Sequence, residues 1–140
     1  MFFGSFAHTL DDKGRLMIPR KMREELGYKV YIMKGFDGSL SIYNEDGYQK
    51  LVEEFKRLPF NQHKNRDYLR LQFASTYDMD VDKLGRVQIP TALLNKFNIS
   101  HEVLVLGIGD HIEVWDQKKY EEYENSIKDE FENIAETIND

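Results

Sequence analysis

One nine-residue stretch of this chain is written twice. Asp11-Asp12-Lys13-Gly14-Arg15-Leu16-Met17-Ile18-Pro19 returns 71 positions later as Asp82-Lys83-Leu84-Gly85-Arg86-Val87-Gln88-Ile89-Pro90, with five identities in nine places. The shared pattern is Asp-x-x-Gly-Arg-apolar-x-Ile-Pro. Similarity runs on beyond it: Leu26-Gly27 aligns with Phe97-Asn98 and Ile32-Met33 with Val103-Leu104. After one inserted residue, Ile42-Tyr43-Asn44 aligns with Val114-Trp115-Asp116, and Tyr48 with Tyr120. A chain of 140 residues therefore holds two copies of one unit. A unit of roughly 50 residues buries too little apolar surface to stand alone, so the copies are expected to share one core.

Each copy has the same local grammar. Asp-x-x-Gly supplies turn residues, with glycine giving positive φ cheaply, between a strand ending near Thr9 or Met79 and a strand at 15–18 or 86–89. That reads as a hairpin. Pro19 and Pro90 suit the first helical position, and the short helices at 21–26 and 91–97 end at Gly27 and Asn98, which tolerate the left-handed C-terminal position. Strand pairs follow at 30–34 with 40–43, and at 102–106 with 111–115. Each unit is thus ββαββ, followed by a longer helix. Tyr48, Leu51, Val52 and Phe55 recur at helical spacing, as do Tyr120, Tyr123, Ile127, Phe131, Ile134 and Ile138 behind an N-capping Asp116. Both series predict a buried helical face. Pro59 and Asn61 break the chain, with a further helix expected over 61–71. The division that results is a first repeat with its helix at 1–58, a linker at 59–74, and a second repeat with an acidic helix at 75–140.

The net charge of −6 argues against a nucleic-acid partner only until it is divided. Residues 1–79 carry +2 and residues 80–140 carry −8, of which the last 21 contribute −7. An acidic C-terminal helix sets the total and leaves the N-terminal half free to present a local basic surface, which weighs more than pI in partner choice. Lys64, Arg66 and Arg70, with Lys56 and Arg57 upstream, are expected to extend that patch. Zero cysteines exclude disulfides, zinc fingers and thiol catalysis. With no apolar run of roughly 20 residues and no signal-peptide pattern at the start, the expected location is the cytoplasm.

The doubled Asp-x-x-Gly-Arg-x-x-Ile-Pro resembles the signature of the MraZ family, whose two repeats resemble AbrB-type swapped-hairpin DNA-binding units. The similarity includes Phe2-x-Gly4 and the closing acidic helix. The resemblance implies an α+β fold in which two pseudo-symmetric ββαββ repeats form a swapped-hairpin β-barrel core with flanking helices. It implies a nucleoid-associated transcriptional regulator that binds short direct repeats of double-stranded DNA, upstream of the division and cell-wall gene cluster and of its own gene. It also implies a homo-oligomer assembled as a ring, with no cofactor, metal, membrane or small-molecule substrate.

The residues themselves allow two readings of the motif. Arginine beside a glycine-permitted turn projects a five-donor fork suited to guanine O6 and N7, or to phosphate, while Lys13, Arg20, Lys21 and Arg23 hold phosphates. Alternatively Asp11 or Asp12 pairs with Arg15 across the turn, an exposed bridge worth about 0–1 kcal/mol. Duplication favours DNA contact through Lys13, Gly14, Arg15 and Arg20 in the first copy and Lys83, Gly85 and Arg86 in the second. Asp11, Asp12 and Asp82 then orient the turn, since a carboxylate aimed at phosphate repels it. Leu84 stands where the first copy has Lys13, so the second turn is expected to touch DNA more weakly.

Other constellations are weaker. Asp78-x-Asp80-x-Asp82 starts like a calcium loop but has Lys83 and Ile89 where that loop needs glycine and glutamate. Gly107-x-Gly109 has Ile112 in place of the third glycine of a dinucleotide loop and reads as a turn. His8, His63, His101 and His111 are scattered, and no nucleophile-base pair is evident. Tyr48, Tyr120, Tyr123 and Trp115 read as core rather than base-stacking platforms. Two other function classes stay open: a protein-interaction or antitoxin-like module of the same fold, and a metal-dependent enzyme using Asp78, Asp80 and Asp82.

Overall fold

A computed structural model describes residues 1–138. The first repeat contributes β1 (Ser5–Thr9), β2 (Arg15–Met17), α1 (Arg20–Leu26), β3 (Lys29–Lys34), β4 (Leu40–Asn44) and α2 (Glu45–Lys56). Helix α3 (His63–Ala74) follows, then β5 (Tyr77–Asp80), β6 (Arg86–Gln88), α4 (Thr91–Lys96), β7 (Glu102–Gly107), β8 (Ile112–Asp116) and α5 (Gln117–Ile127). A 3-10 turn, Lys128–Glu130, leads into α6 (Phe131–Ile138).

The strands on either side of each Asp-x-x-Gly turn do not pair with one another. β1 pairs antiparallel with β7, β5 with β3, and β2 with β6, so every strand of the motif finds its partner in the other repeat. The turns are corners, closed by Gly14 N–H to Asp11 C=O and Gly85 N–H to Asp82 C=O, each at 3.0 Å. The simple hairpins expected at each motif are therefore exchanged. One six-stranded sheet results, in the order β1-β7-β8-β4-β3-β5, with β2-β6 as a separate two-stranded ribbon. The β-barrel core implied by the resemblance does not close. β1 and β5 remain the two edges of the large sheet, because the corners carry the chain out of it into the ribbon.

Alternation sorts the layers. Val30, Ile32, Leu40, Ile42, Val103, Val105, Ile112 and Val114 point to one face, where they form a single cluster with Leu16, Ile18, Val87 and Ile89 of the ribbon segments and with Met22, Leu26 and Leu93 of α1 and α4. Tyr31, Tyr43 and Trp115 alternate with them on the other face. There Tyr48 of α2 stacks on Tyr31 at 3.9 Å between ring centroids, while Tyr120 and Tyr123 of α5 lie 5.1 and 5.0 Å from Trp115. Phe55 of α2 meets Tyr68 and Phe73 of α3 edge-on. The ribbon and the long helices thus occupy opposite sides of the sheet, and of the aromatic residues expected in the core Trp115 is buried while Tyr48, Tyr120 and Tyr123 are half-buried in the helix layer.

Helix ends follow the local chemistry, shifted by one residue at the start. Pro19 and Pro90 sit at the N-cap with extended ψ of 135° and 130°, just outside α1 and α4. Gly27 and Asn98 adopt the left-handed region with φ of 72° and 53°. Asn44 and Asp116 cap α2 and α5 through their side chains. The repeat alignment needs one correction. β3 and β7 share one burial pattern from their second residues onward when Lys29 is set against Glu102, so Val30 is the equivalent of Val103, and Ile32 of Val105. The offset grows from 71 to 73 across Ile99-Ser100 because burial, not motif spacing, sets the strand register.

The C-terminal helix departs further from expectation. The 3-10 turn interrupts it, and of its apolar series only Tyr120, Tyr123 and Ile127 are half-buried. Phe131, Ile134 and Ile138 are 76%, 43% and 76% exposed, so the apolar face of α6 is not buried. The sequence reads the periodicity correctly but not what it packs against.

Candidate nucleic-acid interface

The two motifs converge on the ribbon. Leu16 pairs with Val87 at its centre, with Arg15 opposite Gln88 and Met17 opposite Arg86. Period two puts Leu16 and Val87, both fully buried, toward the sheet and Arg15, Met17, Arg86 and Gln88 on the outer face. Arg15 and Arg86 are therefore diagonal neighbours, a relation that places Cα atoms roughly 7–8 Å apart. Each corner is stapled to the other repeat, since Ile18 N–H donates to Gly85 C=O at 2.9 Å and Ile89 N–H to Gly14 C=O at 3.0 Å.

Inside each corner, one aspartate does the same work. Asp11 Oδ1 accepts from the Lys13 and Arg15 amides at 3.0 and 2.9 Å, and its Oδ2 accepts from Arg15 Nε at 2.6 Å. Asp82 Oδ1 accepts from the Leu84 and Arg86 amides, both at 2.9 Å, and its Oδ2 from Arg86 Nε at 2.8 Å. The backbone N–H of the arginine, followed by its side chain and by the amide two residues after the aspartate, holds each carboxyl below the usual range. Both readings of the motif meet here. The ion pair exists, but it grips only Nε. Among the described residues, no hydrogen bond takes the terminal Nη nitrogens of either guanidinium. The aspartate thus orients the fork and leaves its end open.

The remaining sequence-predicted residues are spread around this pair. Lys13 and Lys83 are exposed on the corners, and Arg20 is exposed at the start of α1. Asp12 is also exposed, and the bracing role falls to Asp11 alone. Gly14 and Gly85 have φ of 78° and 83°, the left-handed region that L side chains rarely enter. A Cβ at Gly85 would also press on the Arg23 guanidinium, whose Nε donates to Ile18 C=O at 2.9 Å, so Arg23 supports the opposite corner. Gln88, which sequence reasoning passes over, shares the outer face and donates from Nε2 to Lys13 C=O at 3.2 Å. Its place two residues after Arg86 on a strand is the signal that reveals it.

One expectation does not survive, and one runner-up reading loses its geometry. Lys56, Arg57, Lys64, Arg66 and Arg70 belong to the α2–α3 layer, across the sheet from the ribbon, so they do not extend a basic surface around Arg15 and Arg86. Asp78, Asp80 and Asp82 do not converge, since Asp78 pairs with Lys29 at 3.2 Å while Asp82 holds Arg86. Gly109 forms a bridge with Phe2, as a turn rather than a phosphate loop.

A swapped two-repeat fold that presents paired Gly-Arg corners on one β-ribbon defines the class of protein to which this chain is to be compared. The family described as "MraZ protein, putative antitoxin-like" matches residues 1–71 and again 72–140, and the chain belongs to that family. It is 44% identical over 139 residues to the transcriptional regulator MraZ of Mesoplasma florum, spanning 99% of this chain and 95% of the relative. It is 35% identical to the protein of that name from Syntrophomonas wolfei and 36% identical to that of Moorella thermoacetica, in each case over 100% of this chain and 98% of the relative. No described helix is long and apolar enough to cross a membrane.

Proposed function

We propose that this protein is a sequence-specific, double-stranded DNA-binding transcriptional regulator rather than an enzyme, working in the cytoplasm at the nucleoid. The observation that carries the reading is the pair of arginines on one ribbon face, each tethered at Nε and open at Nη. A two-stranded ribbon fits the major groove, and an arginine fork entering it end-on matches guanine O6 and N7. Arg15 and Arg86 read bases, Lys13, Lys83 and Arg20 hold phosphates, and Gly14, Gly85, Asp11 and Asp82 fix the corners. Lys83 takes the place of Asp12 as Leu84 takes that of Lys13, so charge does not carry the expectation that the second corner touches DNA more weakly. Two acids, Asp11 and Asp12, accompany Lys13 and Arg15 in the first, whereas Asp82 alone accompanies Lys83 and Arg86 in the second. The names of the relatives support the regulatory role. The targets are short direct repeats upstream of the division and cell-wall gene cluster and of the protein's own gene, engaged by a ring of identical subunits.

Quantitative titration of wild type, Arg15→Ala and Arg86→Ala against DNA from upstream of its own gene tests this. Each substitution is expected to cost about 1–3 kcal/mol per engaged site and to relax sequence preference. Wild-type affinity in a correctly assembled Arg15→Ala, Arg86→Ala double variant would show that the ribbon is structural. A second reading, a protein-interaction or antitoxin-like module, is favoured by the exposed apolar and acidic α6. Retrieval of a basic protein by the full chain, with no DNA binding, would establish it instead.

A further inference from the structure

The helix layer contains an apolar groove that the fold leaves open and an apolar helix that the fold leaves uncovered. The groove, about 470 Å³, lies between α2 and α3 and is lined by Val52, Phe55, Leu58, Phe60, Leu69 and Phe73. Two bases, Lys56 and Arg70, also border it. Between residues 56 and 70 the chain carries five bases, with Arg57, Lys64 and Arg66, against one acid, Asp67. These bases lie across the sheet from the ribbon; Lys56 pairs with Glu53 at 3.3 Å, while Arg70 lies over the Phe60 ring at the edge of the groove. α6 supplies the complement. It exposes Phe131, Ile134 and Ile138 along one edge and carries Glu132 and Glu136 on the same two turns, directly after Asp129 and Glu130.

We infer that α6 of one subunit docks its Phe131-Ile134-Ile138 edge into the α2–α3 groove of a second copy of this chain, head to tail, with its acids against the Lys56–Arg70 bases. This deepens the proposed ring and rests on it. Pseudo-symmetry supports the occupant. In the first repeat, α3 covers Phe55 of α2 with Phe73 and Tyr68. In the second repeat α6 follows α5 as α3 follows α2, yet its edge faces solvent. Charge decides between the two self-partners. Two α6 helices packed together would oppose acid to acid, whereas the groove opposes acid to base. The donor and acceptor patches differ, so the contact is heterologous, and it propagates until rotation closes it.

The test uses the full chain with exposed positions altered, Phe131→Asp on α6 and Phe60→Asp at the groove, and with a thermal melt to confirm folding. Arg70→Glu serves as a second groove variant should Phe60→Asp fail to fold. Sedimentation velocity at micromolar concentration is expected to show wild type assembled and each variant alone at the monomer mass of 16.6 kDa. Loss of one central anchor weakens a contact by about thirty-fold or more. An equimolar mixture of the two variants is expected to form a 1:1 dimer and nothing larger, because only one intact helix meets one intact groove. Wild-type assembly by folded Phe131→Asp would overturn the docking while leaving the ring standing. A mixture that stays monomeric would overturn it as well. A monomeric wild type would remove the ring together with this contact. Loss of short-duplex binding in Arg70→Glu with assembly intact would make the α3 bases a DNA contact and would also overturn it.

Discussion

Aspartate and arginine at each corner form a unit whose two members answer to different tests. Removing an arginine is expected to weaken DNA binding and leave folding nearly unchanged, since its side chain lies on the outer face. Removing the aspartate should do more to the corner, because three donors lose their acceptor. The pH dependence has a definite sign. Asp11 and Asp82 are held below the ordinary aspartate range, so their stabilising contribution is fully present above that range and is lost as pH falls through the lowered folded value. Acid titration of thermal stability should therefore show a loss below roughly pH 4 that shrinks in the Asp11→Asn, Asp82→Asn double variant. An unchanged acid limb would show that the corners contribute nothing to acid stability. Gly107 is a second residue with a sharp expectation. A Cβ there would fall on the backbone of Phe2 and Phe3, where the N-terminal segment crosses β7. Gly107→Ala is expected to lower stability by about 1–3 kcal/mol or to release residues 1–4, visible as faster amide exchange there.

Among the elements, the ribbon depends on its buried pair. Leu16 and Val87 are both fully buried, and truncating Leu16 to alanine is expected to cost about 2–5 kcal/mol by transfer and cavity terms. The loss should reach DNA binding through both corners, in contrast to the local effect of either arginine. Much of this scale was legible in the sequence. The Asp-x-x-Gly turns, the short helices behind Pro19 and Pro90, the left-handed Gly27 and Asn98, and a helix near 61–71 all follow from residues a few positions apart. What failed was partner choice. A turn whose Asp11 N–H bonds Arg15 C=O is locally a hairpin, and nothing within five residues says that β1 will leave β2 for β7. That exchange is decided by Leu10, Leu16 and Ile18 reaching the common cluster, a long-range burial that short-range grammar does not encode. The convergence of Arg15 and Arg86 on one face was hidden for the same reason. The doubled motif singled out the residues of the candidate site, while their adjacency came from the swap.

For the whole molecule, the exchange makes division at residue 59 a cut through a shared core rather than between domains. We propose that residues 1–58 and 75–140 fold only together. An isolated 1–60 fragment is expected to lack a cooperative thermal transition as a monomer; a sharp, reversible melt of that fragment would refute the interlock. Under the proposed ring, each subunit brings one ribbon, so affinity should rise steeply with the number of tandem sites through effective concentration, and fall with salt by counterion release. Titration on one, two and three repeats at two salt concentrations measures both slopes, and equal affinity for single and tandem sites would count against a multivalent assembly.

The ribbon takes one strand from each repeat, so the face proposed to read DNA does not exist in any chain that ends before β6. On a translating ribosome, β2 waits without a partner until β6 has left the exit tunnel, and the arginine pair is completed only when most of the polypeptide has been made. Under the proposed function, prematurely terminated products carrying Arg15 alone are expected to be inert toward promoter DNA and unable to compete with finished protein for it. A chain ending at residue 80 that bound operator DNA as the full chain does would contradict this built-in requirement for completeness.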